Sequence, residues 1–447
     1  MTKTYESLTQ VSEFSANPLY DCDPHSMDKL SREINDARVR GYNIEVYPTE
    51  DQAYNNPESI AEVYSYLRTS DIILAEKKKE VMISHLGSLG YNPFKRAMRK
   101  EKAVYKALEP LREELLFGDA ETNSMPWHRQ RGRAAALLTI AQAHELETPS
   151  SSGLYPTMSG MLDSSVIAHR FRSGDNGLAN MTLLESVIYA ETAYGGRSLV
   201  DAESIAKRRV AELEEFTTAP SSEEFKRVVQ YCSDSLGIRA RKEVVSDTHL
   251  SHVDYLAEQG LEPKDMLVMS FGSGTALPML EMMLAVREKY GAAPKIILID
   301  QDPLALAAAS QLAEKTGLED NIEIHCVRLF SKYGSPVGLK EILAGRDLHI
   351  GEDSGLREYL PDNIYKKLTN ETWSNLAPGG LMTTGNMNKN RPQAEFLHGM
   401  MGWQPQVQMR EIQDNFDLHE AVGVPKDAMT GRATQEGLYT MVASLKK

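Results

Sequence analysis

The stretch from residue 266 to residue 300, MLVMSFGSGTALPMLEMMLAVREKYGAAPKIILID, decides the fold. MLVM at 266–269 is a short apolar run of strand type, and Ser270 and the turn FGSGTA follow it. From Ala276 to Arg287 the apolar residues Leu277, Leu280, Met283 and Leu284 recur at helical spacing. KIILI at 295–299 is β-branched, suits a strand and ends in Asp300. Strand, glycine turn, helix and strand make one βαβ unit, whose two strands lie parallel in one sheet.

The alternation continues downstream. A helix is expected over 304–315, a strand over 321–327 (NIEIHCV) and another over 347–350 (DLHI). A helix over about 363–376 leads to PGG and the run LMTTGN, and LYTMVASL at 438–445 suits a closing strand. This pattern predicts an α/β fold, a Rossmann-like doubly wound, mostly parallel sheet.

Upstream the periodicity is helical. Ile60, Val63, Tyr64 and Leu67 share one face, with Asn56 and Pro57 as cap and first position. Further helices are expected over about 94–116, 133–146, 178–194 and 201–216, and GYNIEVY at 41–47 reads as a short strand. Residues 148–160, 172–177 and 217–222 carry the turn formers of loops. The chain therefore divides into a mainly α-helical N-terminal domain, 1–240, and an α/β domain, 241–447. The helical part is read as a lid, a substrate-binding domain or a homodimer interface.

Composition narrows the class of function. Apolar residues at 41% and charged residues at 25% are ordinary for a globular chain, so disorder is not expected. A net charge of −14 argues against a nucleic-acid partner, although 95–99 and 128–133 are locally basic. Cys22, Cys232 and Cys326 are too few and too dispersed for a disulfide framework or a zinc site, which suits a reducing cytosol. No signal peptide and no run long enough to span a bilayer is read, so a cytoplasmic protein without a membrane partner is expected.

Three segments carry the chemistry. Gly272 and Gly274 let the backbone of the first turn approach a ligand closely, at the N-terminus of a helix. Asp300, at the end of the next strand, can accept hydrogen bonds from both hydroxyls of a ribose. Leu277 stands where a dinucleotide fingerprint needs its third glycine, which weighs against a pyrophosphate ligand. The third segment, 347–386, holds YLPD at 359–362 and LAPGGL at 376–381.

With these three segments in order, the C-terminal half resembles class I S-adenosylmethionine-dependent methyltransferases. More narrowly, Ser270, Ala276, the segment Gly355–Leu360, Asn386 and Trp403 resemble the methyltransferases of extracellular-factor (3-hydroxypalmitic acid methyl ester) biosynthesis. The resemblance covers about 262–445. It implies S-adenosylmethionine as cofactor, held by Ser270, Phe271, Gly272, Ser273, Gly274, Thr275, Asp300 and Gln301. The chain departs from the family at Ser270, where an acid is usual, and at Ala276, where the glycine pattern breaks.

In that family the loop after the fourth strand faces the methyl group. Here the loop is expected to hold Glu352, Asp353 and Arg357, with Glu358 one step further, and these four are the candidate catalytic residues. Paired carboxylates suit an amine or guanidine, and Arg357 suits a carboxylate acceptor. Asp353 as a helix cap and Arg357 as a solvated side chain are the plain alternatives. His349 and His325 read as core or sheet-facing residues. His398, Trp403 and Tyr155 are lesser candidates for the acceptor pocket.

The expected activity is methyl transfer to N or O of a small-molecule acceptor, in specialised metabolism. A nicotianamine- or polyamine-synthase type of transferase and a non-catalytic binding module are the alternatives. Methylation of protein arginine is a minor variant.

Overall fold

A computed structural model of the chain describes residues 13–14, 17–48, 52–65, 231, 233–274, 276–300, most of 306–394, and 408–447. The helices and loops expected between 66 and 230 lie outside the described residues, as do both basic stretches, Tyr155, Thr275, Gln301, His398 and Trp403.

The described strands form one eight-stranded sheet. They are β1 (Asn43–Tyr47), β2 (Leu267–Phe271), β3 (Lys295–Asp300), β4 (Ile322–Cys326), β5 (Leu348–Asp353), β6 (Leu376–Met387), β7 (Met429–Thr434) and β8 (Tyr439–Leu445). Their order across the sheet is β1-β7-β8-β6-β5-β2-β3-β4. All pairings are parallel except the two made by β8, which runs antiparallel to β6 and β7. The doubly wound, mostly parallel sheet expected from the alternation is present. Strand β5 extends past the expected DLHI to Asp353, so Glu352 and Asp353 lie in the strand rather than in the following loop.

Both faces of the sheet are covered. The helices are α1 (Pro18–Cys22), α2 (Pro24–Val39), α3 (Ser233–Glu258), α4 (Leu277–Tyr290), α5 (Leu339–Leu343), α6 (Asp362–Asn375) and α7 (Ile412–Glu420). Side chains alternate across a strand. Leu267, Met269 and Phe271 of β2 and Ile297 and Ile299 of β3 pack on one face, with residues of α2, α5, α6 and α7. Val268, Ile296, Leu298 and Ile350 pack on the other, with residues of α3 and α4. Burial on both faces is why these strands read as continuous apolar runs.

Residues from the N-terminal part belong to this sheet. β1 pairs with β7 as an edge strand, and Met27, Leu30 and Ile34 of α2 are in the core cluster of the first face. The division expected at 240/241 falls inside α3. That helix is fastened to the β1–β7 edge of the sheet: Arg432 of β7 donates to Thr248, and the Tyr47 hydroxyl of β1 donates to Asp247. Among the described residues, no helix is long and apolar enough to cross a membrane.

The chain runs from β2 outward to β3 and β4, then returns with β5 on the other side of β2. The point where the winding reverses lies between β2 and β5. In open α/β sheets, ligands bind beyond the carboxyl ends of the strands at this point.

Candidate functional site

The carboxyl ends of β2, β3 and β5 build the site. Gly272, Gly274 and Ala276 have φ of 61°, 54° and 56°, so the turn repeats the left-handed conformation at every second residue. Ala276 thus holds the backbone shape that glycine would supply, and the glycine pattern is broken in sequence but kept in conformation. The turn folds down onto β3, with the Gly272 amide donating to the Ile299 carbonyl at 2.8 Å. The Gly274 amide donates to Asp300 Oδ2 at 2.9 Å, fixing the carboxylate against the loop. Ser273 Oγ is buried, and no described residue hydrogen-bonds to it. Helix α4 then begins without a side-chain cap. Phe271 turns its ring into the core, so only its backbone is placed to shape the turn.

Across the switch point, Ser270 of β2 stands in register with Glu352 of β5. The Ser270 hydroxyl donates to Glu352 Oε2 at 2.5 Å, and the Ser354 amide donates to Oε1 at 2.6 Å. A carboxylate thus reaches Ser270 from the neighbouring strand.

Asp353 and Arg357 are committed to each other. Arg357 Nε donates to Asp353 Oδ1 at 2.7 Å and Nη2 to Oδ2 at 2.5 Å. Nη1 donates to the Tyr365 carbonyl at 2.8 Å and to Thr369 Oγ1 at 2.7 Å, and the guanidinium lies over the Tyr365 ring. Arg357 is fully buried. Asp353 therefore caps no helix and Arg357 is not solvated. Every guanidinium nitrogen is in use, so Arg357 is placed to hold the strand end on α6 and has no nitrogen free to clamp an acceptor.

Glu358 differs. It lies at the end of the loop that follows β5, next to the Gln408 backbone. Oε1 is 3.5 Å from Arg241 Nη1, while Oε2 is buried and no described residue hydrogen-bonds to it. Burial pushes its carboxyl up to about 7, against the opposing pull of Arg241 and Arg410. A carboxyl that titrates near neutrality can both take and return a proton.

Two residues outside the expected set support this end of the site. Arg410 donates to the carbonyls of Arg357 and Leu360, to Asp362, and to Asn386 Oδ1 at 2.6 Å, tying the loop to β6. Asn386 is consequently a buried support of the loop. Arg241, on α3, is the cation that faces Glu358. Its signal in the sequence is the basic cluster IRARK at 238–242 in an acidic chain.

The histidines lie elsewhere. His349 Nδ1 accepts from the Leu267 amide at 3.0 Å, at the opposite end of the sheet, as a sheet-facing residue. His325 sits half-exposed on β4, bonded to Glu323. No group of three His, Cys, Asp or Glu side chains able to hold a metal ion occurs among the described residues.

No family model matches the chain, and no curated protein matches it. Solved structures do. A "possible exported protein" from Bordetella parapertussis is 17% identical, with 71% of this chain and 96% of that one covered and a TM-score of 0.41. Magnesium protoporphyrin IX methyltransferase from Synechocystis PCC 6803, with bound S-adenosylmethionine, is 11% identical over 48% of this chain and 83% of that one, with a TM-score of 0.34. The S-adenosylmethionine-dependent methyltransferase SibL is 13% identical over 71% of this chain and 96% of that one, with a TM-score of 0.33. These are likenesses of fold, and the functional reading rests on the chain's own residues.

Proposed function

We propose that the chain is an S-adenosylmethionine-dependent methyltransferase acting on a small-molecule acceptor that carries an N–H or O–H group. The observation that carries this reading is the glycine turn at the switch point, locked to Asp300 and opposed across the sheet by the acids of the β5 end. Gly272 and Gly274, both left-handed, put no side chain between their backbone and a ligand, and the Ser273 hydroxyl, to which no described residue hydrogen-bonds, adds a hydrogen-bonding group. Asp300 suits the ribose hydroxyls, and Ser270 and Glu352 line the floor between turn and acceptor. Thr275 and Gln301 complete the proposed cofactor set.

When bound, S-adenosylmethionine supplies an electrophilic methyl group whose departing bond leaves its electron pair on sulfur. The protein then has to orient the acceptor and accept its proton. Glu358 is the group for the proton, through Oε2, to which no described residue hydrogen-bonds. Glu352 is held by Ser270 and Ser354 and supplies fixed negative charge to the acceptor's hydrogen-bond donors. Because Arg357 is spent on Asp353, an acceptor that brings its own proton suits the site better than a carboxylate.

The test is calorimetric titration with S-adenosylmethionine and S-adenosylhomocysteine, repeated on Asp300→Ala. The wild-type chain is expected to bind both. The substitution is expected to weaken binding about 10- to 100-fold, the value of hydrogen bonds to a charged group. Absence of binding to the wild-type chain removes the methyl-transfer reading.

A further inference from the structure

Helix α3 brings one basic side chain to the mouth of the site from far away in sequence. Arg241 is 13% exposed, and its guanidinium meets three things. Nη1 is 3.5 Å from Glu358 Oε1. The guanidinium carbon stands 4.7 Å from the centre of the Tyr439 ring, on β8. Its Nη atoms also lie 3.4 Å from where a Cβ on Gly355 would stand, so the plane of the group rests against a residue with no side chain. Helix, loop and strand thus hold the guanidinium in one place.

The neighbouring residue fixes the helix. Lys242 Nζ is 3.3 Å from Glu281 Oε1 in a buried ion pair with α4, the helix that the glycine turn starts. Side by side on α3, Lys242 grips the element behind the proposed cofactor turn and Arg241 grips the loop on the acceptor side.

We propose that Arg241 is a positioning residue for Glu358: it fixes one carboxylate oxygen and leaves the other directed to the acceptor's proton. The assignment deepens the methyl-transfer reading and rests on it. The proton passes from the acceptor's nitrogen or oxygen to Oε2, and the acceptor's lone pair is then available to a methyl group whose former bonding pair would stay on the sulfur it leaves. Without the cation, the buried carboxyl would hold its proton through neutral pH and have no vacancy for a second one.

Other charges face Glu358 as well. Arg410 favours its ionised form and Asp353 opposes it. Arg241 in turn is faced by Tyr439, Tyr359 and Glu352, besides Glu358. Among these, Arg410 is bound to Asp362, the Asn386 side chain and three carbonyls, and Asp353 to Arg357, so substituting Arg241 changes the charge facing Glu358 without removing those bonds.

The experiment is an infrared titration of carboxyl groups in the full chain, with Glu358→Gln identifying the band. In the wild-type chain the Glu358 band is expected to titrate at about 7. Arg241→Met is expected to move that midpoint up by at least about one pH unit, a tenfold change in proton affinity, and Arg241→Lys to recover most of the shift. A purely structural role for Arg241 would lower stability and leave the midpoint in place, and that result overturns the proposal. Gly355→Val is a second variant that leaves the cation present but displaces it, and it must move the midpoint in the same direction. Titration with S-adenosylhomocysteine on the same samples separates the two readings. Failure to bind removes the methyl-transfer reading, whereas binding with an unmoved midpoint removes only the role of Arg241.

Discussion

Ser270 and Glu352 face each other in register on two parallel strands, and the serine hydroxyl donates to the carboxylate at 2.5 Å. This bond spans the point where the sheet reverses its winding. Ser270→Ala would leave a buried carboxylate oxygen without its donor, which costs about 1–3 kcal/mol. Glu352→Gln removes the charge that makes the loss expensive. The double variant is therefore expected to be less destabilised than the two single losses added together. Urea denaturation of the four proteins of the cycle measures the coupling, and simple additivity would show that the pair is not energetically linked.

Arg357 anchors the loop beside that pair. Arg357→Met leaves Asp353 buried without a countercharge and takes one donor each from the Tyr365 carbonyl and the Thr369 hydroxyl, which stay bonded to each other. Breaking a buried ion pair from one side typically costs about 3–5 kcal/mol. Arg357→Lys keeps the charge but cannot form the two-pronged bond, so it is expected to fall between wild type and Met. Urea midpoints check the order, and a Met variant as stable as wild type would show that Arg357 is not a structural anchor.

The contrast between these residues shows what the sequence reveals. KIILID is legible because β-branched residues packed on both faces leave an unbroken apolar run, and the glycine turn is legible because its residues are adjacent. Strand β7, MTGRAT, is not legible in the same way. Its inward residues include Gly431 and Ala433, whose small size makes room for neighbours such as Phe416 without marking a hydrophobic pattern. Helix α2 carries its signal in Met27, Leu30 and Ile34, which share one face behind Asp23 and Pro24 as cap and first position. Glu352 and Arg357 are candidates by sequence, but their roles follow from pairing. That Glu352 meets Ser270 depends on which strands are neighbours, and that Arg241 meets Glu358 depends on where α3 crosses the sheet.

Ala276 tests how the turn tolerates a side chain. Left-handed backbone costs a residue with a Cβ roughly 1–2 kcal/mol. Ala276→Gly relieves this, but it loses a buried methyl worth about 0.8 kcal/mol and adds roughly 0.5–1 kcal/mol of backbone entropy to the unfolded chain. The balance is expected to stay within about 1 kcal/mol of wild type by these magnitudes. Ala276→Val puts a branched side chain into the same conformation inside the core and is expected to cost about 2 kcal/mol or more. Urea midpoints give the stabilities, and equal behaviour of the two variants would contradict a left-handed residue at 276.

Three buried histidines set an acid limit on stability. His249, His252 and His419 are pushed down to about 3, 4 and 3, in each case chiefly by burial. Neither ring nitrogen of His249 is hydrogen-bonded by a described residue, so no partner offsets the cost of charging it. Its folded value lies below the unfolded one of about 6.5, so below that pH the unfolded chain binds more protons than the folded one. Stability from this group is full above about pH 6.5 and falls as pH drops toward the folded value. His249→Phe removes the titrating ring and leaves an apolar one among Val245 and Val253. Between about pH 7.5 and pH 5.5 the wild-type chain is expected to lose about 1.4 kcal/mol more than this variant. Urea denaturation at the two pH values measures the difference directly. Equal losses would mean that His249 is charged, or reaches water, in the folded protein.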